Sequence, residues 1–283
     1  MIKSIFPYMG NKHNIANWII SYFRPHRIYC EVFGGTFAVG LNKQRSKVEI
    51  YNDKNHHLSN LFEVMRTKKD ELIKEFTSYN VSEVFYNKVY KNHDPIEFGD
   101  VNAAAKYLYI MVVSGMGKYN GGFMAKRWDE NVDNIFNKKI PIINAVHNRI
   151  KPMIIVSRDF RRVIKSMDES HTLFYLDPPY KGTESYYKTI IGDFTMKDHI
   201  DLSDILKSIK GKFVLSYEDD EIIRALYDDD RFYIVSKQKD RLGKKPINGV
   251  AQKSTEILIM NYRPEMDLFS SRISDVDKKD FDK

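Results

Sequence analysis

The tetrapeptide Asp177-Pro178-Pro179-Tyr180 combines groups that suit an amino group on a planar base. It follows the apolar run 172–176, so we expect it at the carboxyl end of a buried strand, where open α/β sheets bind ligands. The prolines stiffen the turn and lack N–H donors, which leaves the Pro178 carbonyl to face a substrate amino group. The Asp177 carboxylate is a second acceptor, and the Tyr180 ring is a stacking surface whose hydroxyl is assigned no proton-transfer role. The alternative is a structural Pro-Pro turn.

Two further motifs suit a nucleotide-like cofactor. Gly34 and Gly35 follow the apolar run 28–33, and glycines before a helix N-terminus let the backbone approach a ligand. Asp53 ends the next apolar run, about eighteen residues later, where an acidic residue can accept hydrogen bonds from both ribose hydroxyls. Alone, the glycines indicate a tight turn and Asp53 a helix N-cap. Their spacing favours cofactor binding, although they do not form the GxGxxG fingerprint of dinucleotide-binding proteins.

The segment FPYMGNK (6–12) precedes the first predicted helix, which covers residues 11–23. We expect Tyr8 to lie over a ligand, Gly10 to permit close approach and Lys12 to supply a cation.

Seven apolar runs predict strands, and residues at helical spacing lie between most of them. These runs are 28–33, 47–53, 153–159, 172–180, 212–219, 231–237 and 255–262. Near-continuous apolar strands that alternate with helices indicate an α/β sheet covered on both faces.

The middle of the chain departs from this alternation. Residues 68–150 are mostly helical in pattern and predict an inserted second domain between the second and third strands. The main domain then comprises residues 1–67 and 151–263. Residues 264–283 contain six acidic and four basic residues and few large apolar ones, so we expect a disordered tail.

Composition narrows the class of protein. The 283 residues carry a net charge of +7, or +9 without the tail, which favours a polyanionic partner. Cys30 is the single cysteine, which excludes an internal disulfide framework and a cysteine-based zinc site. The pair His56-His57 has no ligand-like companions, so we predict no metal. The sequence contains no candidate membrane span or signal peptide, and a cytoplasmic location is expected.

In their order, FPYMGNK, EVFGGTF, YND and DPPY resemble the Dam-like (α-group) DNA adenine-N6 methyltransferases, and TEILIMNY resembles the last strand of that family. The resemblance covers residues 5–262. It implies the Rossmann-like, mixed seven-stranded sheet of class I methyltransferases with an inserted, mostly helical target-recognition domain. The implied activity is site-specific transfer of a methyl group from S-adenosylmethionine to N6 of a flipped-out adenine in double-stranded DNA.

The resemblance also implies roles for individual residues. The cofactor-binding residues are Tyr8, Gly10, Lys12, Glu31, Phe33, Gly34, Gly35, Asp53 and Asp177. Glu31 stands where many relatives have Asp. The catalytic residues are Asp177, Pro178, Pro179 and Tyr180. Because the sulfonium methyl group is already activated, no nucleophilic side chain is needed.

Target recognition is assigned to the insertion, where Lys118, Asn120, Lys126 and Arg127 are candidates for DNA contacts. A solvated basic loop is the alternative. The stretch KYNGGFMAKRW lacks the proline that family members often carry there, so we do not assume a GATC target. Other functions remain open: an RNA adenine methyltransferase, a non-catalytic DNA-binding derivative, and an NAD-type oxidoreductase, which is disfavoured because the dinucleotide fingerprint is missing. We expect a monomer or a weak dimer on DNA.

Overall fold

The computed structural model describes residues 1–8, 10–90, 96–115, 121–124, 133–182, 194–240 and 253–264. Within these residues, seven strands form one sheet in the order β3-β2-β1-β4-β5-β7-β6. The strands are β1 (Ile28–Glu31), β2 (Val48–Asn52), β3 (Ile154–Val156), β4 (Thr172–Leu176), β5 (Lys212–Glu218), β6 (Tyr233–Asp240) and β7 (Lys253–Met260). Each of the seven predicted runs overlaps one of them; β6 extends beyond its run to Asp240, and β7 begins before its run, at Lys253.

The sheet is mixed. Strands β1 to β5 are parallel, whereas β7 runs antiparallel to both β5 and β6. The start of β7 therefore lies beside the carboxyl end of β5, with Glu256 opposite Glu218. This architecture agrees with the predicted class I methyltransferase fold.

Helices cover both faces of the sheet. They are α1 (Ala16–Ile20), α2 (Ala38–Asn42), α3 (His56–Thr67), α4 (Lys69–Thr77), α5 (Glu83–Tyr90), α6 (Val101–Val113), α7 (Asp133–Asn137), α8 (Ile140–Ile150), α9 (Phe160–Met167), α10 (Met196–Leu206) and α11 (Glu221–Leu226). Side chains alternate between the two faces of a strand. Leu173 and Tyr175 of β4 accordingly belong to one hydrophobic cluster, and Phe174 and Leu176 to the other.

The first helix is shorter than predicted. A 3₁₀ turn at His13–Ile15 precedes α1, which ends at Ile20. Tyr22 and Phe23 continue the apolar spacing but lie beyond the helix, close to Pro25, which disfavours helical backbone at the residue before it.

The inserted segment is helical in its described part. Helices α4 to α8 lie between β2 and β3, and α6 packs against α3 and α4. Leu108 of α6 and Ile143 of α8 are fully buried in the same hydrophobic cluster as Leu58 of α3. The described helices of the insertion thus share a core with the sheet, and the division into two domains remains a prediction.

No helix in the described ranges is both long and apolar enough to cross a membrane. The same ranges contain no group of three or more His, Cys, Asp or Glu side chains arranged to hold a metal ion.

Candidate active site

The ends of β1, β2 and β4 meet at one edge of the sheet, which we call the carboxyl edge, because these strands are parallel and in register. The buried Asn52 side chain fixes this edge. Its Nδ2 donates to the carbonyl oxygens of Val32 at 2.7 Å and Arg158 at 3.1 Å, and its Oδ1 accepts from the Arg158 amide. The turns that follow β1, β2 and β3 are thereby held together.

The turn after β1, which we call the glycine turn, requires glycine at two positions, for different reasons. A Cβ atom on Gly34 would lie 2.3 Å from the Tyr51 ring, so this glycine makes room for packing against β2. Gly35 has a φ of +49°, in the left-handed region that favours glycine. A Cβ atom on Gly35 would lie 3.4 Å from the Tyr8 ring. The predicted residue Tyr8 therefore lies against this turn.

Asp53 connects the turns after β1 and β2. Its Oδ2 accepts from the Gly35 amide and its Oδ1 from the Asn55 amide, both at 2.8 Å. Asn55, and not Asp53, is the N-cap of α3, because its side chain accepts from the Leu58 amide. Burial raises the pKa of Asp53 to about 6, although the two backbone N–H groups oppose that shift. Asp53 thus retains unused lone pairs on a partly exposed carboxylate beside the glycine turn.

Glu31 at the end of β1 is enclosed, with 2% of its surface exposed. Its Oε2 accepts from the Tyr29 hydroxyl at 2.6 Å and the Gly40 amide at 3.0 Å. Burial raises the pKa of Glu31 to about 8. These contacts give Glu31 a role in placing α2, which follows the glycine turn.

Phe33 belongs to an aromatic cluster that sequence reasoning did not find. Its ring centroid lies 5.6 Å from Phe160 and 5.9 Å from Phe194. Phe160 begins α9, directly after the third strand's turn, and is buried, whereas Phe33 is half-buried. The cluster forms an apolar surface at the carboxyl edge.

Asp177 and Lys12, predicted from separate motifs, form an ion pair. Lys12 Nζ lies 2.8 Å from Asp177 Oδ2 and donates to the Gly10 carbonyl at 2.8 Å. Burial raises the pKa of Asp177, Lys12 counters that shift, and Glu256 adds to it, leaving the pKa above its ordinary value. Burial alone would lower the pKa of Lys12, but Asp177 and Glu256 raise it. Lys12 is therefore held as an ammonium, and it fixes the Asp177 carboxylate.

Glu256 is the principal residue that the sequence reasoning missed. It lies on β7 with no exposed surface, and its Oε1 accepts from the Tyr180 hydroxyl at 2.5 Å. It also contacts Ser216, Lys239 and Lys12. We call these residues, together with Asp177, the Glu256 network. The hydroxyl of Tyr180, to which the sequence assigns no proton-transfer role, thus has a buried partner 76 residues away in the chain.

A local signal for Glu256 does exist. It is an isolated acidic residue that directly precedes the apolar stretch ILIM in a predicted strand, and a charge buried in a central strand needs a partner. Lys239 has no comparable signal, because it extends β6 beyond the predicted run 231–237.

The remaining predicted residues fall into two groups. Pro178 and Pro179 are buried in the turn after β4, between the partly exposed Asp177 and Tyr180, and Gly10 is exposed with a φ of +77°. The recognition candidates lie outside the described residues; they are Lys118, Asn120, Lys126 and Arg127.

The chain is similar to a known protein family and to two known proteins. The family model of the D12 class N6 adenine-specific DNA methyltransferases matches residues 8–241. The Type II methyltransferase M.CviBI of Paramecium bursaria Chlorella virus NC1A is 27% identical over 80% of this chain and 85% of that protein. The Type II methyltransferase M.FokI of Planomicrobium okeanokoites is 26% identical over 92% of this chain, which spans only 43% of M.FokI.

Proposed function

The chain belongs to the D12 class N6 adenine-specific DNA methyltransferase family, and on that basis we propose that it transfers a methyl group from S-adenosylmethionine to N6 of an adenine in a defined DNA sequence. The observation that carries this proposal is the Asp177 carboxylate, fixed by Lys12 at the carboxyl edge beside the Asp53 and Gly35 turns. The edge thereby offers one acceptor for a substrate amino group and a separate place for a nucleoside-containing cofactor.

The residues at the glycine turn fit S-adenosylmethionine. Asp53 is a partly exposed carboxylate that keeps lone pairs for ribose hydroxyls, since its two known partners are backbone amides. The missing side chain of Gly35 keeps the space beside Tyr8 open. Phe33, backed by Phe160, offers an apolar surface to an adenine ring. When bound, S-adenosylmethionine supplies a methyl group that is activated by its positively charged sulfur.

We assign Asp177 and the Pro178 carbonyl to accept hydrogen bonds from the N6 amino group of the target adenine. In the transfer, N6 would bond to the methyl carbon as the bond from that carbon to sulfur breaks, so positive charge would develop on N6 and one of its protons would pass to an acceptor. The raised pKa of Asp177 makes its carboxylate a stronger acceptor for that proton. Lys12 keeps the carboxylate in place during this step.

Tyr180 is assigned as the stacking surface for the adenine. A base within a duplex cannot reach a site at the edge of a sheet, so the adenine has to leave the helix before transfer. Stacking against a half-buried ring stabilises the extruded base. The Glu256 bond holds the Tyr180 hydroxyl at the opposite end of the ring from the backbone.

The relatives support a proposal about sequence recognition and biological context. Because M.CviBI and M.FokI are Type II methyltransferases, we propose that this chain also modifies one fixed sequence, in the context of restriction-modification. Lys118, Asn120, Lys126 and Arg127 of the insertion remain the proposed DNA-contacting residues. The proposed substrate is double-stranded DNA in the cytoplasm of a cell, bound by a monomer or weak dimer.

The test is to incubate the purified chain with methyl-labelled S-adenosylmethionine and either double-stranded DNA or RNA. We expect label in DNA, recovered as N6-methyladenine after digestion to nucleosides. Label in RNA alone would make the chain an RNA methyltransferase, and DNA binding without label would make it a non-catalytic derivative. Methylation-sensitive sequencing of DNA from an expressing host would then identify the target sequence.

A further inference from the structure

Glu256 joins four other elements of the protein at one carboxylate. Its Oε1 accepts from the Tyr180 hydroxyl at 2.5 Å and from Ser216 Oγ of β5 at 2.6 Å, and it lies 3.7 Å from Lys12 Nζ. Its Oε2 accepts from Lys239 Nζ of β6. The turn after β4, the first loop and two strands are thus connected through a side chain that has no exposed surface.

The charges in this network compensate each other. An isolated buried carboxylate is strongly unfavourable, and it stays ionised only when cations and hydrogen-bond donors surround it. Burial alone would raise the pKa of Glu256, but Lys12, Lys239 and Ser216 hold it below its ordinary value. Glu256 is therefore a fixed negative charge, and bonds to a charged partner are stronger than neutral ones.

Two partners of Glu256 are the groups assigned to the reaction. The hydroxyl bond restrains the Tyr180 ring, and the ammonium of Lys12 is shared between Glu256 and Asp177, at 3.7 and 2.8 Å. That ammonium also lies 4.8 Å from the centre of the Tyr180 ring. The position of Glu256 therefore affects both the stacking surface and the acceptor carboxylate.

We propose that Glu256 is a positioning residue for methyl transfer, which holds Tyr180 and Lys12 in place without contacting DNA or cofactor. This inference rests on the proposed function, since it assigns Glu256 to the same reaction. A misplaced reacting group lowers the rate more than the affinity, so we expect a substitution of Glu256 to lower kcat and to leave KM nearly unchanged.

The test is a double-mutant cycle of Glu256→Gln, Tyr180→Phe and the double variant, in labelled methyl transfer. We expect kcat to fall about tenfold for Tyr180→Phe, which loses one bond to a charged acceptor, and about a hundredfold for Glu256→Gln. The double variant should be close to Glu256→Gln alone, about a hundredfold and not a thousandfold below the wild type, because Glu256→Gln already removes the charge that strengthens the Tyr180 bond. The KM for DNA should stay within about twofold, since phosphate contacts dominate that affinity.

Glu49→Gln is the matched control, because Glu49 is also a buried carboxylate between two cations. Glu49→Gln should keep the wild-type kcat per folded molecule. Tyr180→Phe keeps the Glu256 carboxylate with its lysines and Ser216, so it provides a folded variant if Glu256→Gln does not fold. The same cycle measured by urea unfolding gives a readout independent of methylation.

Additive effects on kcat, or a Glu256→Gln variant as active as the wild type, would overturn the inference and leave the proposed function intact. A change confined to the KM for DNA would overturn it as well. A wild-type chain that methylates no nucleic acid would overturn the proposed function, and the inference with it.

Discussion

Two buried glutamates in this protein each lie between two cations, at opposite ends of the sheet's strands. Glu49, near the start of β2, accepts from Lys43 Nζ at 2.6 Å and from both terminal nitrogens of Arg149. Glu256, at the carboxyl edge, lies near Lys12 and Lys239. The groups have the same chemistry and nearly the same burial.

We call Glu49, Lys43 and Arg149 the Glu49 network. The two networks differ in the other bonds that their cations form. Arg149 also donates to the Gly40 carbonyl, and Lys43 to Ser46, so the Glu49 network fastens the end of α8 to the sheet. In the Glu256 network, Lys12 continues to Asp177, whose side chain is 18% exposed. The Glu256 network is thus connected to a partly exposed carboxylate at the carboxyl edge, which is the position that the proposed reaction requires.

Asp177→Asn should give the largest effect on the reaction. Without the carboxylate, the developing charge on N6 loses its acceptor, and we expect kcat to fall about a hundred- to ten-thousandfold. Single-turnover transfer of labelled methyl groups measures this change. Normal turnover would remove Asp177 from the active site and with it the distinction between the two networks.

Glu49→Gln should instead lower stability by about 3 kcal/mol, because Lys43 and Arg149 remain buried without their counter-charge. Urea denaturation gives this free energy of unfolding, and the same preparation gives kcat, which should not change. A lower kcat at unchanged stability would show that the Glu49 network also serves the reaction.

Asp53→Ala should weaken binding of S-adenosylmethionine about ten- to a hundredfold, or roughly 1.5–3 kcal/mol, through loss of charge-assisted hydrogen bonds to hydroxyls. Calorimetric titration with the cofactor measures the change. Asp168→Ala is the matched control, because Asp168 also accepts from two backbone amides, those of Lys210 and Gly211, before β4 begins. Equal losses in both variants would assign the effect to general destabilisation.

Acidification should give the smallest of these effects: cofactor affinity should decline at a higher pH than the stability of the fold. The pKa of Asp53 is raised to about 6, so its ionised form, and cofactor affinity with it, should decline as pH falls through 6, by about tenfold at pH 5. The pKa of Glu49 is lowered by Arg149 and Lys43 against the effect of burial. Its stabilisation is therefore complete above the ordinary value of 4.5 and is lost as pH falls below it. Cofactor titrations and circular dichroism from pH 7 to 4 test this order; unfolding before loss of affinity would contradict it.

Sequence alone predicted the strands well, for a physical reason. Strands buried on both faces, such as β4 and β5, are near-continuous apolar runs. Each of the seven predicted runs overlaps a strand. The mixed seven-stranded sheet of the class I methyltransferase fold was expected from the family resemblance, and the family match and the observed sheet confirm it. The order of the strands was not predicted. Periodicity could not supply it, because it describes a segment and not its neighbours.

Only part of the candidate site was predicted from the sequence. Asp177, Lys12 and Asp53 stand out because each lies beside a turn with unusual residues, and the structure brings Asp177 and Lys12 together. Glu256 was missed because its partners lie in distant parts of the chain, and only the antiparallel placement of β7 beside β5 brings it to the carboxyl edge. Gly34 was predicted to let the backbone approach a cofactor, but the structure shows that it makes room for the Tyr51 ring. The local sequence does not reveal this packing requirement.

Because Glu256 lies on the last strand, it is synthesised after all of the residues that surround it. On the ribosome, Lys12, Tyr180, Ser216 and Lys239 all emerge before the carboxylate that they surround. In a nascent chain that lacks β7, β6 has no neighbouring strand to hold Lys239 in place, and β5 is an open edge that can pair with another chain. Arrival of β7 closes that edge and delivers the Glu256 carboxylate in one step, so the completion of the sheet and the assembly of the Glu256 network coincide in time.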